Sequence, residues 1–509
     1  MVTSEYAPVA KAGGLADAVA ALSRALRGLG ADVRVVMPRY GSIPTETLER
    51  IPGPLGVPIG FREEWTGVYR LPGEVPVYLL DHDGAFGRQG IYNHGNVDFP
   101  DNPRRFALLS YGAFQLCRFL HWIPDTIHAH DWPTGLVPGY LRGREAHGQF
   151  ANTRSVFTIH NIGYQGIFAS EEFAHSGIPL DRFVDLGYSH NGFYNMLHGA
   201  LISADLLTTV SPSYAGELLE PGGAFGMEDA LSRRRSDLHG VLNGIDPDVW
   251  NPESDPVLPR PFSAADLTGK DEAKTALRRR YHLPERPGVP LIGMIGRLAE
   301  QKGIRHLFGE LDGTDAAVAA DAAVAAAATG GGRDAPAAGA VERLCREEDL
   351  QVVLLGSGDP RYEERIRRMS VELPSFSAVL GYDDALAHLI EAGSDFFLMP
   401  SEYEPCGLNQ MYSMRYGTLP IVSTTGGLKD TVIDEAEGLA ATGFQLGVPS
   451  EQNILRAVRR ALTIYRNNPE RIAQMRMVAM RRDFGWDRSA RRYLELYESL
   501  RPTGAAHEE

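Results

Sequence analysis

Residues 400–430 read PSEYEPCGLNQMYSMRYGTLPIVSTTGGLKD. The apolar run Phe396–Met399 leads into a short acidic loop, Glu402-Tyr403-Glu404-Pro405, and Gly407 opens a helix-like segment. A second run, 419–422, ends in the pair Gly426-Gly427 before another helix-like segment. Two strand–loop–helix units in succession put both loops on one edge of a parallel sheet, where α/β proteins bind ligands. Helix starts after such loops offer free backbone N–H groups to phosphate. A carboxylate beside that cradle is costly unless something cationic or sugar-like lies between them. The combination points to a phosphorylated sugar donor, with Glu404 near the carbon that reacts.

A chain of 509 residues is long for one core, so two or more domains are expected. The net charge of −15 argues against a nucleic-acid partner, and phosphate binding must then come from local cations and helix ends. Cys117, Cys345 and Cys406 lie far apart without CxxC spacing, which indicates neither a disulfide framework nor a zinc site. No apolar stretch is long enough to span a bilayer, and the polar N-terminus does not read as a signal peptide. The expected compartment is the cytoplasm, with no membrane partner.

Outward from 400–430 the same alternation recurs. After the strand remnant at 1–4 and the loop YAPVAKAGGL, residues Leu15, Val19, Leu22, Leu26 and Leu29 form one apolar helix face. Strands are expected at VRVVM, at 75–80, before His130, at 155–159 and at 206–210. Their continuous apolar character fits strands buried on both faces. A Pro-punctuated stretch at 245–290 reads as an inter-domain passage, and a second α/β run begins at PLIGMIGRL (290–298). The boundaries are drawn at 1–247, 248–480 and 481–509. The last piece is expected to carry a C-terminal helix that packs back on the first domain. An Ala- and Gly-rich insertion at 312–340 is expected to be a surface segment, with a candidate helix at 316–328. Two open parallel sheets joined by such a passage imply two Rossmann-type domains facing across a cleft, where a ligand is expected.

Several residues at these strand ends suit chemistry. Lys11, with Gly13 and Gly14, joins a cation to backbone that an anion can approach, although a plain turn also explains the glycine pair. Arg297 and Lys302 reach a common point from one loop, Arg as a bidentate fork and Lys as a point charge. His128-Ala129-His130-Asp131 resembles metal-ligand spacing, but no second cluster stands at a matching interval. Asp131, His160 and Asn161 suit hydrogen bonds to sugar hydroxyls equally well. Asn243 lies in an Asn-Gly-x-Asp-Pro turn, and Tyr382 can stack on a purine ring or simply pack. Met411, Tyr412 and Met414 read as core.

Taken in order, KAGGLAD, HAHDW, TIHNIGYQG, VLNGID, GRLAEQKG, GSGDP, SEYEPCGLNQMYSMRYG and STTGGLKDTV closely resemble the bacterial glycogen synthases and plant starch synthases. The match runs from about residue 3 to about residue 500, apart from 312–340. The resemblance implies a GT-B fold of two doubly wound domains. It also implies transfer of glucose from ADP-glucose to the non-reducing end of an α-1,4-glucan, glycogen or a maltooligosaccharide, with retention of configuration. By that resemblance Lys11 and Gly14 lie near the donor phosphates and sugar, and Asp17 lies on the acceptor side. Arg297 and Lys302 bind the diphosphate together with the backbone at Leu408 and Asn409, and Tyr382 stacks on adenine. His160 bonds a glucose hydroxyl, Asp131, Asn161 and Asn243 complete the pocket, and Glu404 faces the anomeric centre. No cofactor and no metal is expected, because the two cations do the metal's work.

Three departures accompany the match. The family usually has several residues before the segment matching Thr3-Ser4-Glu5, so either a start placed too late or a shortened central strand is expected. Ala12 stands where Thr is commonest, and the 312–340 insertion is atypical and expected to be dispensable. Rival readings are a UDP-glucose-dependent retaining enzyme, a pyridoxal-phosphate phosphorylase, a glycoside hydrolase, a metallohydrolase built on HAHD, and a non-catalytic glycan-binding homologue. No lysine motif for pyridoxal phosphate stands in the sequence, and a hydrolase working through paired carboxylates would not need the cations.

Overall fold

The computed structural model describes residues 1–95, 97–311 and 338–501. Apart from 338–340, the expected insertion lies outside them, and so does its candidate helix at 316–328. The chain forms two compact units. The first is Met1–Ile245 with the chain from Gly485 onward, and the second is Asp246–Phe484.

The second unit is built on six parallel strands. Their spatial order is Phe376–Leu380, Gln351–Gly356, Leu291–Ile295, Phe396–Met399, Leu419–Ser423 and Phe444–Gly447. Counted along the chain this is 3-2-1-4-5-6, the doubly wound order, whose reversal falls between Leu291–Ile295 and Phe396–Met399. The central strands are buried along their length, which explains apolar runs without alternation. Helices between them start on polar caps, such as Asp359 before Pro360–Glu372 and Asp383 before Asp384–Gly393.

The Pro-rich passage 245–290 is not a free linker but folded onto this unit. Its Trp250 stacks between His388 and Tyr412, with ring centroids 3.9 and 3.7 Å away. Its buried Asp255 accepts from His388 Nδ1 at 2.7 Å and from Tyr416 at 2.6 Å. Prolines break regular structure here without preventing burial of the side chains between them. Met411, Tyr412 and Met414 are buried core.

In the first unit, strands Leu238–Gly240, Leu206–Thr209, Arg154–Ile159 and Thr126–His130 are parallel neighbours. Val2 bridges from Ala129 to Val36, and so reaches the strand Val35–Pro38, which pairs in parallel with Val77–Asp81. The strands anticipated from apolar runs are found within two residues of their expected bounds. The antiparallel hairpin Glu49–Ile59/Arg62–Leu71 had no such signal, because Pro52, Pro54 and Pro58 interrupt it. Proline is tolerated there because Glu49–Ile59 is an edge strand.

Helix Gly14–Gly28 buries Leu15, Val19, Leu22 and Leu26. Leu22 and Leu26 share a cluster with Val156, Leu206, Trp486, Tyr493 and Leu496, so helix Asp487–Ser499 is part of this core. Each such apolar side chain contributes roughly 1.5–3 kcal/mol on burial.

Candidate active site

In each unit the chemistry-bearing side chains follow the C-terminal ends of parallel strands, the edge at which such sheets bind ligands. In the second unit the loops flank the topological reversal. Arg297 and Lys302 follow Leu291–Ile295, and Glu404 follows Phe396–Met399. Lys302 Nζ lies 2.5 Å from Glu404 Oε2, and Ser401 Oγ donates to the same oxygen at 2.9 Å. Glu404 is only 6% exposed, so this carboxylate is held rather than solvated. Arg297 and Lys302 also border a pocket floored by Met294, Leu354 and Leu398. Leu408 precedes the helix Asn409–Arg415, and Asn409 Nδ2 donates to Ile295 O at 3.1 Å, tying the two loops together. Tyr382 follows Phe376–Leu380 with its ring largely in solvent and its hydroxyl on Asp384, 3.0 Å away.

Glycines here fall into two kinds. A Cβ on Gly427 would stand 2.0 Å from Cys406 O, and one on Gly426, whose φ is +43°, 2.0 Å from Glu404 O. This pair exists so that the Glu404 loop can lie directly on helix Gly426–Thr431, where Gly427 N donates to Glu404 O. Among the described residues, none beyond their chain neighbours comes within 4 Å of the Cβ positions of Gly13 and Gly296, and neither has a positive φ. Steric fit within the described chain does not demand glycine at these two positions.

In the first unit, Lys11 Nζ and Asp17 Oδ2 form a 3.0 Å ion pair across the start of helix Gly14–Gly28. The backbone N–H groups of Ala12 and Gly13 both meet Glu5 Oε2, at 2.6 and 2.9 Å, so the anion they bind is the protein's own. Tyr92 donates to Glu5 Oε1 at 2.5 Å, and Tyr92 Oη lies 2.8 Å from Ser4 Oγ. Burial raises the Glu5 carboxyl above its usual range despite these bonds. Glu5 and Tyr92 were not anticipated. Glu5 carried a weak signal as a carboxylate at a strand end beside KAGG, whereas Tyr92 carried none.

Asp131 follows Thr126–His130 with a positive φ of 58°. Its Oδ1 accepts from the backbone N–H groups of His160 and Asn161, at 2.8 and 3.3 Å. Burial pushes its carboxyl up to about 7, although both bonds favour the charged form. Asp131 therefore holds the loop that follows Arg154–Ile159. His160 Nε2 lies 3.1 Å from His130 Nδ1, and burial pushes His160 down to about 3, a neutral ring. Asn161 Oδ1 accepts from Gly163 N at 3.0 Å, and the buried Asn243 follows Leu238–Gly240. Among the described residues no group of three or more His, Cys, Asp or Glu converges to hold a metal ion.

Comparison with known proteins shows the family to which the chain is similar. Residues 1–233 match the family model for the starch synthase catalytic domain, and 337–476 that for glycosyl transferases group 1. The chain is 46% identical over 502 residues to a glycogen synthase of Treponema denticola, covering 98% of this chain and 97% of the relative. It is 45% identical to one from an Anaeromyxobacter species, covering 98% of both. Among solved structures, the catalytic domain of starch synthase IV from Arabidopsis thaliana, bound to ADP and acarbose, superposes with a TM-score of 0.84. That protein is 32% identical, with 98% of each chain covered.

Proposed function

The chain belongs to the glycogen and starch synthase family, and from that premise we propose that it transfers glucose from ADP-glucose to the non-reducing end of an α-1,4-glucan with retention of configuration. Its fold is GT-B, and its activity is that of a glycosyltransferase with a nucleotide-sugar donor and a glucan acceptor. The observation that carries the finer reading is the Lys302–Glu404 pair at the reversal of the sheet, with Arg297 in the same loop. ADP as the nucleotide of the donor is supported by the plant starch synthase of known structure, which is bound to ADP and acarbose.

In this reading Arg297 and Lys302, with the backbone at Leu408 and Asn409, bind the diphosphate where negative charge develops as ADP leaves. The Glu404 carboxylate stabilises the positive charge that grows on the sugar. The bond from the anomeric carbon to the phosphate oxygen breaks while the bond to the acceptor hydroxyl oxygen forms on the same face. The departing phosphate oxygen takes the hydroxyl proton, so atoms and charge balance without a separate base. Lys11, Gly14, Asp17, His160, Asn161 and Asn243 hold donor and acceptor, and Tyr382 stacks on the base. Asp131 acts through the loop it anchors.

The test is transfer of labelled glucose to glycogen from ADP-glucose and from UDP-glucose, with and without EDTA. Incorporation from ADP-glucose, unaffected by EDTA, is expected. Incorporation from UDP-glucose alone would overturn the donor, and none from either would overturn the activity.

A further inference from the structure

Three histidines lie together behind the strand ends of the first unit, and the proposed mechanism uses only one of them. The rings of His128 and His130 lie with centroids 4.0 Å apart, tilted 35° to one another. His128 is fully engaged, with Nδ1 at 2.7 Å from the Tyr497 hydroxyl and Nε2 at 2.5 Å from Thr158 Oγ1. His130 is 1% exposed, its Nδ1 faces His160 Nε2 at 3.1 Å, and its Nε2 has no hydrogen-bond partner among the described residues. Burial, and then the neighbouring rings, lower His130 well below its usual value, so it too is neutral.

A neutral imidazole has one N–H and one lone pair, so the contact between the two rings admits two arrangements. If His160 donates, the proton of His130 lies on Nε2, a buried N–H with nothing to accept it. If His130 donates from Nδ1, the orphan at Nε2 is a lone pair. Buried N–H groups without an acceptor are rarer in folded proteins than under-used acceptors. We propose that His130 is a positioning residue for His160: it donates from Nδ1 to His160 Nε2, fixes that ring, and leaves His160 protonated on Nδ1 to meet a substrate hydroxyl as a donor. This rests on the reading of His160 as a sugar contact. The adjacent His128 ring, held by Tyr497 and Thr158, packs against His130.

Two experiments test this. Nitrogen–proton correlation spectra of the full chain labelled with 15N-histidine, assigned with His160→Gln, report the tautomer directly. His160 is expected as the Nδ1–H form near neutral pH, and an Nε2–H or doubly protonated ring would overturn the inference. In kinetics, His130→Leu is expected to lower kcat/KM by about 10–100-fold, the size of effect known for removal of the hydrogen-bond partner behind a metal-ligating histidine. His130→Asn, whose amide can stand where Nδ1 stood, is expected to restore about tenfold of that loss. Full activity in His130→Leu would sink the proposal, and the spectra of the unmutated chain decide it should that variant not fold. His160→Ala separates the two readings: near-normal activity there removes the sugar contact itself, whereas a large loss beside a normal His130→Leu removes only the positioning role.

Discussion

Lys302 and Glu404, 102 residues apart in the chain, meet at 2.5 Å where the strand order of the second unit's sheet reverses. The lysine remains about one-third exposed while the carboxylate is almost entirely covered. The pair therefore leaves its cation partly open to solvent and keeps its anion covered.

Removing either partner should damage turnover more than binding. Lys302→Ala and Glu404→Ala are each expected to lower kcat by ~10²–10³. The double variant should lose much less than the product of the two, because the residues act as one unit. Steady-state kinetics on the four proteins of the cycle would show this, and fully multiplicative losses would mean that the two act independently.

Asp131 should make stability depend on pH. Its folded-state carboxyl titrates at about 7, whereas an unfolded aspartate titrates near 4. Between those values the folded chain retains a proton that the unfolded chain has released, so this group's contribution falls as pH rises through that window. The stability difference between the unmutated chain and Asp131→Asn, from urea midpoints, should shift against the unmutated chain between pH 4.5 and 7.5. A flat difference would contradict the raised value.

The two kinds of glycine should separate cleanly. Gly427→Ala forces a Cβ into Cys406 O and is expected to cost at least ~1–3 kcal/mol, a loss of several degrees in melting temperature. Gly13→Ala enters open space and should melt normally while raising KM for the donor or lowering kcat. Normal kinetics for Gly13→Ala would remove the ligand-approach reading of KAGG.

Tyr382 is 76% exposed, so its truncation should cost no stability. If it stacks on the base, Tyr382→Ala should raise the donor KM about tenfold or more, as loss of ~1–3 kcal/mol of stacking predicts. Its KM for glycogen should stay put, and an unchanged donor KM would assign the ring to another role.

The doubly wound sheet of the second unit could be read from the chain because each of its causes is local. Apolar runs such as Phe396–Met399 and 419–422 have the length of buried strands. Each is followed by a loop and a helix, and that succession leaves the loops one common edge. The placement of Arg297, Lys302 and Glu404 on those loops was legible for the same reason, as was that of Asp131 and His160 at strand ends of the first unit. The hairpin Glu49–Leu71 was not, because edge strands tolerate the prolines that normally argue against a strand.

What the chain alone could not reveal is pairing at a distance. Glu5 with Tyr92, His130 with His160 and Lys302 with Glu404 are separated by 87, 30 and 102 residues, and no local pattern marks any of them. Nor could composition tell a glycine that makes way for the chain's own backbone, Gly427, from one with open space beside it, Gly13. Hydrophobic periodicity is a property of neighbours in sequence, so the sequence determined the elements and their common edge. The hydrogen bonds, ion pairs and close approaches at that edge depend on neighbours in space, and only the tertiary structure decided them.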